Sequence, residues 1–187
     1  MGLSINIELS DNDLEHFQSV LKRANEAAGA VDAHQITDSA RKLLADAAAA
    51  QVPDFIAERL NKLESLINMV HDEGWALPED DKSRILTALT YFADPQDVIP
   101  DSVPVVGYLD DAIMIELCVR ELKHELEAYE DFCNYRKEQA AKRHEDVAAL
   151  GRADWMEDRR LELQDRMRRR SARDGYVPRG GGLFRFR

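Results

Sequence analysis

The sequence predicts an all-α fold: a bundle of about six helices built around a central hairpin with a Pro/Asp loop, ending in a flexible Arg-rich tail. Three observations carry that prediction. Apolar residues recur at steps of three and four in every long segment, the period of a helix that buries one face. Helix breakers fall between those segments, at Gly29, Pro53, Gly74, Pro78 and Gly151. Composition agrees, because aromatics make up only 7% of the 187 residues while Ala, Leu, Glu, Asp and Arg recur throughout. A chain of this length supports one core with an appendage rather than two full domains. Collagen-like, disulfide-dense and wholly disordered classes are excluded.

Each element has its own justification. Ile5, Ile7 and Leu9 alternate with polar residues, a short strand signal. Ser10 and Asp13 then have the spacing of a capping box, and Leu14, Phe17, Leu21, Ala24 and Ala28 follow on one helical face up to Gly29. A second helix covers roughly Ala33 to Gln51, with Ile36, Ala40, Leu43 and Ala47 aligned. Pro53 and Asp54 open a third, in which Ile56, Leu60, Leu63, Ile67 and Val70 form the stripe and Gly74 closes the run. Pro78 with Glu79, Asp80 and Asp81 opens a fourth, whose apolar face is Ile85, Leu86, Leu89 and Phe92. After a loop over 93–108, a fifth helix starts near Leu109 and is expected to run as far as Leu150. Its seam of Ala112, Ile115, Val119, Leu122, Leu126, Tyr129 and Cys133 is heptad-like, then degenerates where Arg136 and Arg143 take the next apolar positions. Gly151 breaks it, and a last helix to about Arg170 carries a thin stripe of Trp155, Leu163 and Met167. Three regions result: 1–77, helices that pack on the core; 78–150, the hairpin and long helix; and 151–187, an amphipathic helix with a basic tail.

Charge is divided unequally. The net charge is −11, yet residues 1–135 hold 10 basic and 27 acidic side chains, whereas 136–187 hold 15 basic and 9 acidic. From Arg166 onward there are eight arginines and one acid, Asp174. Arg166, Arg168, Arg169, Arg170, Arg173 and Arg179 are therefore the candidate contacts for an anionic surface. Three readings compete for this end, in this order: a solvated segment folding back on the acidic body, which is preferred; a lipid contact aided by Phe184 and Phe186; and a nucleic-acid contact that the body's own charge opposes. No leader and no apolar run of spanning length is legible. Cys118 and Cys133, on one helix, would sit roughly 22 Å apart, too far to pair. Two lone thiols predict a reducing, cytoplasmic setting, with attachment to a membrane surface as the variant.

The distinctive stretch is Ala93-Asp94-Pro95-Gln96-Asp97-Val98-Ile99-Pro100-Asp101-Ser102-Val103-Pro104-Val105-Val106-Gly107-Tyr108-Leu109-Asp110-Asp111. It resembles the signature of the YkvA-like family of small helical domains, D-P-x-D-x-I-P-D-x-x-P-x-x-G-x-x-D-D, and fills each fixed position. The resemblance covers roughly residues 78 to 120. It implies a helical hairpin and, from many relatives, membrane association; it implies no activity, because the family has none established. This chain departs from those relatives in its high charge.

Asp94, Asp97, Asp101, Asp110 and Asp111 lie within eighteen residues. Carboxylates at such spacing suit a hard cation. Each also has a structural account: Asp94 and Asp97 as a capped helix start with Pro95, Asp101 after Pro100 as a turn former, and Asp110 and Asp111 in the first turn of the long helix. Pro100 and Pro104 set turns, and Gly107 permits close approach. The structural account covers all of them and is preferred. Glu121 and His124 have the Glu-x-x-His spacing of di-iron bundles but lack the second copy such sites need.

The preferred function is a non-catalytic interaction or scaffold module, meeting a protein partner or a second copy through the seam of the long helix unless other helices cover it. A metal-dependent enzyme using the Asp cluster is the alternative from another class, and a nucleic-acid-associated protein using the Arg tail is the third. No catalytic residue, metal or cofactor is assigned.

Overall fold

The computed structural model describes residues 8–27, 32–50, 52–93, 99, 103, 107–147 and 154–173. Helix dominates them and no strand occurs among them, so the fold is all-α. The strand expected over Ile5–Leu9 and the tail beyond Arg173 lie largely or wholly outside the described residues. The elements are α1 (Asp11–Ala27), α2 (Ala33–Ala49), α3 (Asp54–His71), α4 (Glu79–Leu89) with a 3-10 turn at Thr90–Ala93, α5 (Leu109–Glu121), α6 (Lys123–Arg143) and α7 (Asp154–Arg173).

Local chemistry explains most boundaries. The capping box of α1 forms: the Ser10 amide donates to Asp13 Oδ2 at 2.9 Å, and the Asp13 amide reaches Ser10 Oγ at 3.4 Å. Pro53 and Pro78 each stand one residue before their helix in extended backbone, where a missing N–H costs no helical bond. Acidic side chains follow in the first turns, at Asp54 and at Glu79, Asp80 and Asp81, where the helix dipole favours them.

The helix expected to run from Leu109 to Leu150 is two helices, which brings the count among the described residues to seven. It breaks at Leu122, whose φ of −99° and ψ of 23° leave the helical region. Leu122 still donates to Cys118 O at 2.9 Å and accepts from the Leu126 amide at 3.0 Å, so the axis turns without the ladder being lost. No Pro or Gly marks the spot, and nothing in the sequence around it announces the break. The far end comes early too. His144 takes left-handed backbone at φ 56°; its amide reaches Ala141 O and that of Glu145 reaches Ala140 O, which is a Schellman closure after Arg143.

α3 lies at the centre, packed on α2, α4, α5 and α6, while the 3-10 turn sits against α1 and α2, and α7 lies along α6. One hydrophobic core contains residues from every helix, from Phe17 in α1 to Met167 in α7. The seam of the long helix is used inside the chain: Ile115, Leu122, Leu126 and Tyr129 are buried and Val119 is partly so. Its covering comes from α3 and α7. No helix among the described residues is long and apolar enough to cross a membrane. Trp75, in the turn after α3, is fully buried with its ring 5.1 Å from Phe132 and 5.9 Å from Tyr129.

Candidate functional site

Of the motif residues, Gly107, Asp110 and Asp111 are described; Asp94, Pro95, Asp97, Pro100, Asp101 and Pro104 lie outside the described residues. Asp110 and Asp111 stand in the first turn of α5, both buried. Asp110 Oδ2 accepts from the Tyr91 hydroxyl at 3.1 Å and from the Ile99 amide at 3.1 Å. Tyr91 belongs to the turn that ends α4, and Ile99 to the loop itself. The carboxylate thus ties the beginning and middle of the loop to the helix that follows it. Gly107 closes the loop from the other side, its amide donating to Val103 O at 2.9 Å. Among the described residues no group of three His, Cys, Asp or Glu side chains is placed to hold a metal ion. Glu121 and His124 are separated by the break at Leu122.

The arginines of α7 meet the acidic body. Arg166 pairs with Asp131, Arg170 with Glu127 at 2.9 Å and Arg168 with Asp81 at 3.6 Å. Arg169 pairs along its own helix with Asp165, and Arg173 is exposed at the helix end. Arg179 lies outside the described residues. Further inside, Arg84 donates to Glu125 Oε1 at 2.8 Å, and Ser171 of α7 approaches the same oxygen at 3.5 Å. Burial raises the Glu121 carboxyl above its ordinary range; Arg84 opposes that and Glu125 adds to it. Burial also pushes the Cys118 thiol up to about 12, and its Sγ donates to Ala88 O, joining α5 to α4. Cys118 and Cys133 are both free.

The most connected polar group lies outside the motif, at Asp72. Asp72 follows α3, and its Oδ1 accepts from the amides of Gly74 at 2.9 Å and Trp75 at 3.1 Å, an Asx turn that reverses the chain. Arg136 of α6 grips the same carboxylate with both terminal nitrogens, at 2.9 Å to Oδ1 and 2.7 Å to Oδ2. The Tyr129 hydroxyl donates to Oδ2 at 3.0 Å. Burial alone would raise the Asp72 carboxyl; the Arg136 guanidinium, the Trp75 amide and the Tyr129 hydroxyl outweigh it and hold the group below its ordinary range. Burial and the adjacent Cys133 and Asp72 push the Tyr129 phenol well upward, so it stays a donor. α7 completes the turn from the other side, as Gln164 Nε2 donates to Trp75 O at 2.8 Å and Arg160 reaches Gly74 O at 3.4 Å. The one trace of this arrangement in the sequence is Arg136 itself, standing where the seam calls for an apolar residue.

Beside this pair lies an open cleft of about 440 Å³ between α3, α6 and the segment after it. It is lined by Asn68, His71, Asp72, Tyr129, Cys133, Arg136, Lys137 and Val147. His71 Nε2 lies 3.0 Å from Thr37 Oγ1, and burial, with Arg41 near, holds its imidazole below the ordinary value, toward the neutral form.

Comparison with known proteins identifies a segment of the chain. The family model of a protein of unknown function, DUF1232, matches residues 81–117, which run from the first turn of α4 through the loop to Leu117 of α5. That segment lies within the stretch on which the sequence resemblance rests. No curated protein and no solved structure matches.

Proposed function

We propose that the chain is a non-catalytic helical interaction module that meets an anionic surface, lipid foremost, through the C-terminal end of α7 and the basic sequence beyond it. One observation carries this reading. Asp110 of the α4–α5 segment already accepts from Tyr91 and Ile99 and the seam of α5 and α6 is covered inside the chain, whereas Arg169 and Arg173 near the end of α7 are exposed and the sequence that follows adds Arg179, Arg185 and Arg187. The YkvA-like resemblance supports it further, since many relatives are associated with membranes. The Asp cluster, as far as it is described, favours structure over metal chemistry, because Asp110 is already the acceptor that ties down the loop.

The test is binding of the full chain to vesicles with and without anionic lipid, in competition with duplex DNA. Salt-sensitive binding to anionic vesicles, absent on neutral ones and weakened by truncation at Ser171, is the expected result. Preference for DNA would replace lipid by nucleic acid, and binding to neither would overturn the reading.

A further inference from the structure

The cleft beside Asp72 has a lining that selects by charge. Asp72 is the one carboxylate among its lining residues, and it has no capacity left for a cation. Its Oδ1 already accepts from Gly74, Trp75 and Arg136, and its Oδ2 from Tyr129 and Arg136. Arg136 also neutralises it outright. The lining therefore carries one uncompensated charge, the ammonium of Lys137, which has no ion pair among the described residues. Lys137 is exposed at the rim, with the polar side chains of Asn68 and His71 on the same lining. Tyr129, Cys133 and Val147 add less polar wall. That ammonium gives the concavity, which is of the size that holds small molecules, a positive edge within a chain of net charge −11.

We propose that this cleft binds a small organic oxyanion, a carboxylate or phosphate monoester on a body no larger than a ring, with the oxyanion on Lys137 and Asn68 and the body against Tyr129, Cys133 and Val147. The Asp72–Arg136 pair serves as a fixed, already neutral wall. A cationic or metal ligand is disfavoured because every acceptor site of Asp72 is in use. The site shares no residue with the α7 end, so it stands or falls independently of the surface contact proposed above.

The experiment is an NMR titration of the full chain with benzoate, phenyl phosphate and the neutral isostere benzamide. Saturable shifts at Asn68, His71, Tyr129 and Lys137 are expected with at least one of the two anions, and which one responds distinguishes carboxylate from phosphate as the recognised group. Lys137→Met keeps the stem and removes the charge on an exposed side chain; it should weaken that binding about tenfold while leaving the thermal midpoint in place. The proposal is overturned if neither anion shifts these residues, if benzamide binds as well as the anion that does, or if Lys137→Met binds that anion with unchanged affinity.

Discussion

Asp72 and Asp110 each hold a turn between helices, yet they do so across different distances and with different partners. Asp110 takes the Tyr91 hydroxyl and the Ile99 amide, nineteen and eleven residues away and both uncharged. Asp72 takes backbone amides two and three residues on, and then a guanidinium sixty-four residues away. The first aspartate belongs to a motif that can be read along the chain, and its segment is the one matched by a family model. The second is half of an ion pair whose members are strangers in sequence. A part-buried carboxylate gripped by a bidentate cation stakes much on that partner, because loss of either member strands a charge.

The sharpest way to break that contrast is to remove one member of the pair. Arg136→Met should cost up to about 3 kcal/mol, since the pair is part-buried and a stranded Asp72 keeps some access to water, measured by denaturant unfolding. Asp72→Asn keeps an Asx acceptor for the turn but strands Arg136, and should cost a similar amount. The double variant Asp72→Asn with Arg136→Met should recover much of it, since no charge is then left unpaired. Additive costs would show that the pair is not coupled.

Asp110→Ala should cost less, about 1–3 kcal/mol, because it deprives Tyr91 and Ile99 of an acceptor without stranding a cation on them. A cost larger than that of Arg136→Met would mean that the loop anchor, not the ion pair, is the costlier of the two to lose. Acid separates the region around Asp72 by another route. Its folded carboxyl lies below the ordinary value of 3.8, so the stabilisation it gives is complete above that value and is lost as pH falls through the lower folded one. Stability should rise with pH across that window in the native protein, and Asp72→Asn should flatten the rise. The smallest effects belong to α7. Arg166 and Arg170 pair with Asp131 and Glu127 at half-exposed sites, so Arg166→Gln or Arg170→Gln should each cost under about 1 kcal/mol and less in high salt.

This ordering also explains what the sequence disclosed. Helix class, the capping box at Ser10 and Asp13 and the starts at Pro53 and Pro78 are local, decided within a turn or two of chain, and could be read directly. The break at Leu122 could not, because no residue there has a special backbone requirement and the seam runs through it unbroken. The closure at His144 escaped for the opposite reason: a left-handed end normally advertises itself with Gly, and here a histidine occupies it. The Asp72 cluster left a single sign, an arginine where an apolar residue was due. That sign reads as decay of a pattern until the partner is seen, since pairings across sixty residues leave no periodicity.

The turn after α3 has a consequence for the order in which the molecule can be finished. The carbonyls of Gly74 and Trp75 are met by Arg160 and Gln164, eighty-six and eighty-nine residues later. During synthesis the polymer that emerges first must therefore wait, its turn satisfied on the carboxylate side but open to water on the other, until α7 has left the ribosome. Contacts of such long sequence separation form late and slow the final step of folding. A nascent chain halted before α7 would carry helices α1 to α6 with Trp75 incompletely sheltered. With Trp155→Phe in the longer chain, the fluorescence of Trp75 would report whether the last helix has docked.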